Sequence, residues 1–206
     1  MERRDYMSKK IITIGRQFGS NGRLIGRELA NRLGINCYDK GLIKLAAEHT
    51  DIPYEQLKLV DEKKEKPWQY QVDVDDNLDR QYRYGHIDEV LFNLQSKVIQ
   101  DLASKENCIF VGRCADYVLR NEKHCKNIYL FAPMDFRIKT VMERYGLPEK
   151  KAHTLVKKVD KDRSYYYNFY TDRDWHDAKS YHLAIDTSAF SIKEIVDMLE
   201  LIYNTL

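Results

Sequence analysis

A chain of 206 residues with a net charge of +2 and nearly balanced acidic and basic side chains has room for one domain with a sizeable core. That balance argues against nucleic acid as a partner, since a polyanion normally demands a strong basic excess, and no run approaches the roughly 18 apolar residues of a membrane span. Four cysteines without a C-x-x-C pair and six histidines without ligand spacing argue against a disulfide framework and a structural metal. The charged stretch MERRDYMSKK lacks the apolar stretch of a signal peptide, so a cytoplasmic protein with reduced, mostly buried thiols is expected.

In chain order, Ile11–Ile14 reads as a buried strand and Arg23–Leu33 as a helix with Ile25, Leu29 and Leu33 on one stripe, closed by Gly34. Ile35–Tyr38 follows as a second strand and Lys40–His49 as a second helix. Residues 51–66 are charged and helical in pattern, while 67–83, acidic in the middle (DVDDNLD), have no period and read as a mobile excursion. Ile87, Val90, Leu91, Leu94, Val98 and Leu102 then predict an amphipathic helix. Asn107–Val111 and Asn127–Ala132 are the third and fourth strands. Met134–Tyr145 is helical up to Gly146, Pro148 opens the next helix in a permitted first-turn position, and Tyr181–Ile185 is the fifth strand. Ser191 and Glu194 form a capping box for a last helix with the stripe Ile192, Ile195, Val196, Leu199 and Ile202.

Short apolar strands separated by helices predict an α/β fold, a five-stranded parallel sheet with helices on both faces. Ligands of such sheets bind beyond the carboxyl ends of the strands, which here are Gly15–Arg23, Tyr38–Lys40, Gly112–Asp116 and Ala132–Asp135.

The first of these, QFGSNGR, has the strand–turn–helix context of a phosphate loop. Laid on G-x-x-x-x-G-K-[ST], it has Gln17 for the first glycine, Arg23 for lysine and Leu24 for the hydroxyl residue. Gly19 and Gly22 permit a sharp turn and close approach of a ligand, and Ser20 or Asn21 is placed to cap the helix or join a nest of N–H groups. Arg23 keeps a positive charge with a planar fork, whereas Leu24 offers a magnesium ion nothing, so the metal ligands are left unassigned. A glycine-rich βα turn with no ligand fits the same spacing.

Four stretches, IITIGRQFGSNGRLIGRELANRLGINCYDKGLI, IFVGRCADYVL, VDKDRSYYYNFY and HLAIDTSAFSIKEIV, together resemble the cytidylate kinase-like family of P-loop nucleoside monophosphate kinases. The resemblance implies ATP and Mg2+ as cofactors, nucleotide substrates, and phosphoryl transfer to a nucleoside monophosphate such as CMP or dCMP. It also implies one P-loop kinase domain: a core of about 9–40, 84–146 and 178–206, an acceptor-binding insertion at about 41–83, and a lid at about 147–177. The donor phosphates would lie on Gly19, Ser20, Asn21, Gly22 and Arg23, with Arg16, Arg137 and Arg144 beside them. Asp39, Lys40, Arg113 and Asp116 would contact the acceptor; Lys40 stands where the family has serine or threonine, and Cys114 replaces an aspartate. Lys161 and Arg163 would close on the transferring phosphate and, with Arg23, carry catalysis.

Plainer readings of the same residues stand beside these. Asp39 suits the cap of the following helix. Arg137 and Arg144 read as a solvated helix face, and the alternating charges of VDKDR as an exposed, salt-bridged one. The run SYYYNFY either stacks on a ligand or packs the lid against the body or a second subunit, so a homodimer is left open. A kinase with a different acceptor, or a nucleotide-binding regulatory protein without turnover, would fit the altered loop as well.

Overall fold

The computed structural model describes residues 9–39, 41–48, 54–55, 61 and 87–206. The expected helix over 51–66 and the excursion over 67–83 lie outside them, apart from 54–55 and 61, as does Lys40.

Strand β1 (Ile11–Arg16) is central, and the order across the sheet is β2 (Asn36–Tyr38), β3 (Cys108–Val111), β1, β4 (Cys125–Phe131), β5 (Leu183–Asp186), every pairing parallel. Alternation along β1 divides the core in two. Ile12 and Ile14 face helices α1 (Gly22–Leu33) and α7 (Ile192–Asn204), meeting Ile25, Leu29, Ile195 and Leu199. Ile11 faces the opposite side with Phe110, Leu42 of α2 (Gly41–Ala47), Ala115 of α4 (Ala115–Val118), and Val98 and Ile99 of α3 (Ile87–Lys105). The expected α/β fold, a parallel sheet covered on both faces, is therefore the fold observed.

All five strands fall where the apolar runs place them, with shifted ends. β5 begins at Leu183 rather than Tyr181 because Ala178–Ser180 form a 3-10 turn, and the Tyr181 ring stacks on Tyr129 with centroids 4.7 Å apart. The capping box of α7 is formed in both directions between Ser191 and Glu194. The four cysteines are free thiols.

After β4 the chain forms a helical hairpin, α5 (Met134–Tyr145) and α6 (Glu149–Thr171), reversing at Gly146 in the left-handed region and packed through Val141, Ala152 and Val156. Pro148 stands one place outside α6, at its N-cap. α6 is one uninterrupted helix of 23 residues. Its C-terminal half lies on the body: Tyr166 and Tyr167 are buried with Tyr129, Trp175 and Tyr181, and Tyr170 stacks on Phe92 at 4.2 Å. Tyr165 and Phe169, on the other side of the helix, are exposed. Packing thus accounts for two of the three consecutive tyrosines. No helix among the described residues is long and apolar enough to cross a membrane.

Candidate active site

The turn from β1 into α1 is shaped by its glycines. Gly19 has φ +86°, and a Cβ there would meet the Arg137 carbonyl oxygen at 2.7 Å. At Gly22 a Cβ would lie 2.6 Å from Arg16 Cβ. Asn21 occupies the N-cap place of α1 with φ 60° and caps nothing with its side chain; its Oδ1 accepts from Arg144 Nη2 at 2.6 Å instead. Ser20 is wholly buried, its hydroxyl donating to Gln17 O at 2.9 Å and Leu130 O at 3.1 Å, so it braces the loop from within.

Above the loop is a cleft of about 290 Å³, lined among others by Arg16, Gly19, Asn21, Gly22, Arg23, Asp39 and Arg163. Among the described residues that line this space are five arginines (Arg16, Arg23, Arg27, Arg144 and Arg163) and one carboxylate, Asp39. With the first-turn N–H groups of α1, which lack intrahelical acceptors, that imbalance suits the cleft to an anion. Arg23 Nε donates to Asp39 Oδ2, Arg27 reaches the same oxygen at 3.5 Å, and the Gly41 N–H is 3.4 Å from Asp39 Oδ1. Asp39 thus accepts weakly from the start of α2 and is the partner of the loop arginine. Burial alone raises its pKa, but the two arginines and the Gly41 N–H more than offset that and hold the carboxyl below its usual value. Arg163, from α6, donates to Arg16 O at 3.1 Å and lies over the Phe18 ring, which stacks in turn on Tyr145 at 6.1 Å.

The remaining predicted residues lie elsewhere. Lys161 lines a different cavity of about 690 Å³, beside Lys157, Tyr165, Phe169 and His176. Arg137 is buried rather than on a solvated face: it donates to Ala132 O and Phe18 O and pairs with Asp160. Arg113 is 2% exposed and does not line the cleft; its Nη2 donates to Asp61 Oδ2 at 2.5 Å. Asp61 Oδ1 accepts from Gln95 at 3.1 Å, and Gln95 Oε1 from the Tyr166 hydroxyl at 3.4 Å, so Asp61, α3 and α6 meet at one polar chain. The turn carrying Arg113 runs Gly112, Arg113, Cys114, all at positive φ. Two non-glycine residues there cost roughly 1–2 kcal/mol each, a strain that marks the turn as more than a connector. Asp116 is buried and accepts the Tyr167 hydroxyl at 2.6 Å; burial raises its pKa and the Tyr167 bond only partly counters that. It is an internal anchor for α6.

Arg144 lines the cleft as the resemblance implied, whereas Arg27, Phe18 and Tyr145 are cleft residues absent from the sequence-based site. Arg27 had a readable cue, since it lies one helical turn after Arg23 on α1.

The residues present fit a phosphate chain through loop, helix N-terminus and arginines. The described loop residues themselves offer a magnesium ion no free side-chain oxygen. Ser20 Oγ and Asn21 Oδ1 are engaged, Leu24 has no oxygen, and the described residues contain no cluster of three metal-ligating side chains.

Comparison with known proteins bears on family and fold. The model of the cytidylate kinase-like family matches residues 11–189. A cytidylate kinase of Methanopyrus kandleri is 26% identical over 199 residues, covering 92% of this chain and 91% of that protein. Among solved structures, an uncharacterised protein of Eubacterium ventriosum is similar with a TM-score of 0.72 at 27% identity, over 96% of this chain and 100% of its own. A shikimate kinase of Bacteroides thetaiotaomicron shares the fold with a TM-score of 0.55 at 12% identity, over 95% and 98% of the two chains.

Proposed function

The chain belongs to the cytidylate kinase-like family, and on that premise we propose that it transfers a phosphoryl group from ATP to a nucleoside monophosphate, with CMP and dCMP the first candidates. The observation that carries the reading is the meeting of Arg23, Arg163 and Asp39 in one cleft at the carboxyl ends of β1 and β2. A donor cation from the loop, a cation from α6 and a carboxylate at the end of the neighbouring strand are thereby within reach of one bound phosphate chain.

In this reading the first-turn N–H groups of α1 and the Arg23 guanidinium hold the donor phosphates. Arg163 stabilises charge on the oxygens shared between donor and acceptor, and Asp39 accepts from the acceptor once Arg23 turns to phosphate. The reaction needs positioning and charge neutralisation more than a strong base. Magnesium, when bound with ATP, screens the phosphate oxygens; no protein ligand is assigned to it. Lys161 is too far around α6 to share the role of Arg163, and Arg113, held by Asp61, would serve the acceptor side from outside the loop cleft.

ATP, Mg2+ and a panel of nucleoside monophosphates and small alcohols, followed by coupled ADP release, test this directly. Selective ADP release with CMP or dCMP is expected. A protein that binds ATP yet releases no ADP with any acceptor refutes it. One alternative has an observation of its own: the loop offers no oxygen to magnesium, which favours nucleotide binding without turnover. Single-turnover transfer with magnesium or manganese would exclude that alternative.

A further inference from the structure

Asp160, which the proposed reaction does not use, lies against the phosphate loop outside the cleft. Its Oδ1 accepts the Phe18 N–H at 2.7 Å, and its Oδ2 pairs with Arg137 Nη1. The same Arg137 nitrogen donates to Phe18 O at 3.3 Å, and Arg137 Nε donates to Ala132 O at 2.9 Å. Both peptide groups that flank the Phe18 Cα are therefore held by one ion pair bridging α5 and α6. The pair is well buried, with 6% of the arginine and 13% of the aspartate side chain exposed. Gly19 extends the fit, since only a residue without Cβ lets the loop lie so close to the Arg137 backbone.

Two plainer roles explain less. A staple between α5 and α6 needs Arg137 and Asp160 but leaves the two Phe18 contacts and the missing Cβ at Gly19 unexplained. A direct ligand of phosphate in the loop cleft must line it, and neither side chain does; both border the separate cavity that holds Lys161, with Asp160 turned to the Phe18 N–H and Arg137 to Ala132 O, Phe18 O and Asp160. What the pair does fix is the direction of the Phe18 N–H, which is committed to a carboxylate and withdrawn from any anion. The bound anion is left to the N–H groups at the start of α1 and to the cleft arginines.

The geometry points to Asp160 as a positioning residue: acting through Phe18 and Arg137, it holds the loop in its nucleotide-binding shape without touching the nucleotide. This rests on the reading that the cleft takes ATP. It also makes the shape of the donor loop depend on where α6 lies, so that donor affinity answers to the helix that carries Arg163.

The test is equilibrium binding of a fluorescent ATP analogue to the full chain, competed with ATP, in the wild type, Asp160→Ala and Asp160→Asn, with melting curves for each. Loss of a buried charge-assisted hydrogen bond is expected to weaken ATP binding about tenfold or more in Asp160→Ala. Asp160→Asn keeps an oxygen for the Phe18 N–H and is expected to fall between the two. If Asp160→Ala does not fold, Asp160→Asn alone decides, by a loss of affinity greater than twofold. In turnover, KM for ATP is expected to rise while KM for the acceptor is unchanged. Folded variants that bind ATP within twofold of the wild type overturn the inference, as does an equal rise of both KM values with a lowered melting temperature. A wild type that binds no ATP overturns the underlying reading; a wild type that binds but does not turn over leaves the binding comparison decisive.

Discussion

Replacing Arg23 with alanine separates binding from stability. In the structure Arg23 does two things: it faces the cleft, and it donates to Asp39. The second contributes little to folding. The Arg23 side chain is 47% exposed, and Asp39 keeps Arg27 and the Gly41 N–H when Arg23 is gone. An exposed pair of this kind is worth about 0–1 kcal/mol, which in a domain of this size lowers the melting temperature by no more than roughly 4 °C. The first role is worth more, because a hydrogen bond to an ionised phosphate oxygen contributes about 1.5–3 kcal/mol, or about 10- to 150-fold in affinity. Titration calorimetry with ATP, paired with a thermal melt, should therefore show a large loss of affinity on a nearly unchanged fold. The variant should also lose less stability on acidification. Asp39 has its carboxyl held low in the folded state, so it contributes stability above about pH 4, and this is lost as pH falls through the folded value. Without Arg23 that contribution shrinks. ATP affinity within twofold of the wild type would refute the assignment of Arg23 to the donor phosphates, and a melting temperature lowered by more than about 10 °C would show that its role is structural.

Gly19→Ala combines a left-handed backbone with a 2.7 Å approach to the Arg137 carbonyl oxygen, and is expected to cost about 2–4 kcal/mol, read as a melting temperature lowered by roughly 4–16 °C. Asp116→Asn keeps an acceptor for the Tyr167 hydroxyl while removing a buried charge. Because burial raises the Asp116 pKa, its carboxyl penalises folding as pH rises above about 4, so the variant should melt no lower than the wild type at pH 7 and gain on it between acid and neutral pH. A melt lowered at pH 7 would show that the charge is needed. The thiols should resist alkylation in the folded protein at pH 8, since burial pushes Cys108 and Cys125 up to about 12 and Cys37 up to about 11. Mass spectrometry after iodoacetamide should find Cys37, the least buried, labelled first.

The sheet was legible because each strand is a short apolar run and the helices carry stripes that only one face of the sheet can cover. The loop was legible because Gly19 and Gly22 stand between a strand and a helix. What escaped the sequence is long-range. Nothing local distinguishes Arg137, a cation on an amphipathic helix, from a solvated one; its burial depends on Asp160 and on the Phe18 carbonyl, both distant along the chain. Arg113 and Asp61 meet across 52 positions, and no spacing encodes that. One division was readable in principle: Lys161 and Arg163 are two apart on a helix, so their side chains point to different sides, and the structure sends them to different cavities. Asp116, the carboxylate nearest the family's aspartate in sequence, proved to be held by Tyr167, whose burial the run of three tyrosines did not specify.

The unbroken course of α6 sets a rule for how this chain can change length. Asp160 and Arg163 reach the donor loop, while Tyr166 and Tyr167 are fixed in the aromatic cluster, all on one rigid spiral. Each residue added to an α-helix turns everything beyond it by about 100°. An insertion or deletion of one residue between Asp160 and Tyr166 would therefore put the loop contacts and the tyrosine anchor out of phase, and no rearrangement at either end can restore both. The hairpin tip around Gly146 keeps no two sets of contacts in step, and the space about that glycine is open, though its left-handed backbone still favours glycine. Length variation among homologues should gather at that tip and be excluded from the half-dozen positions that keep the two sets of contacts in step.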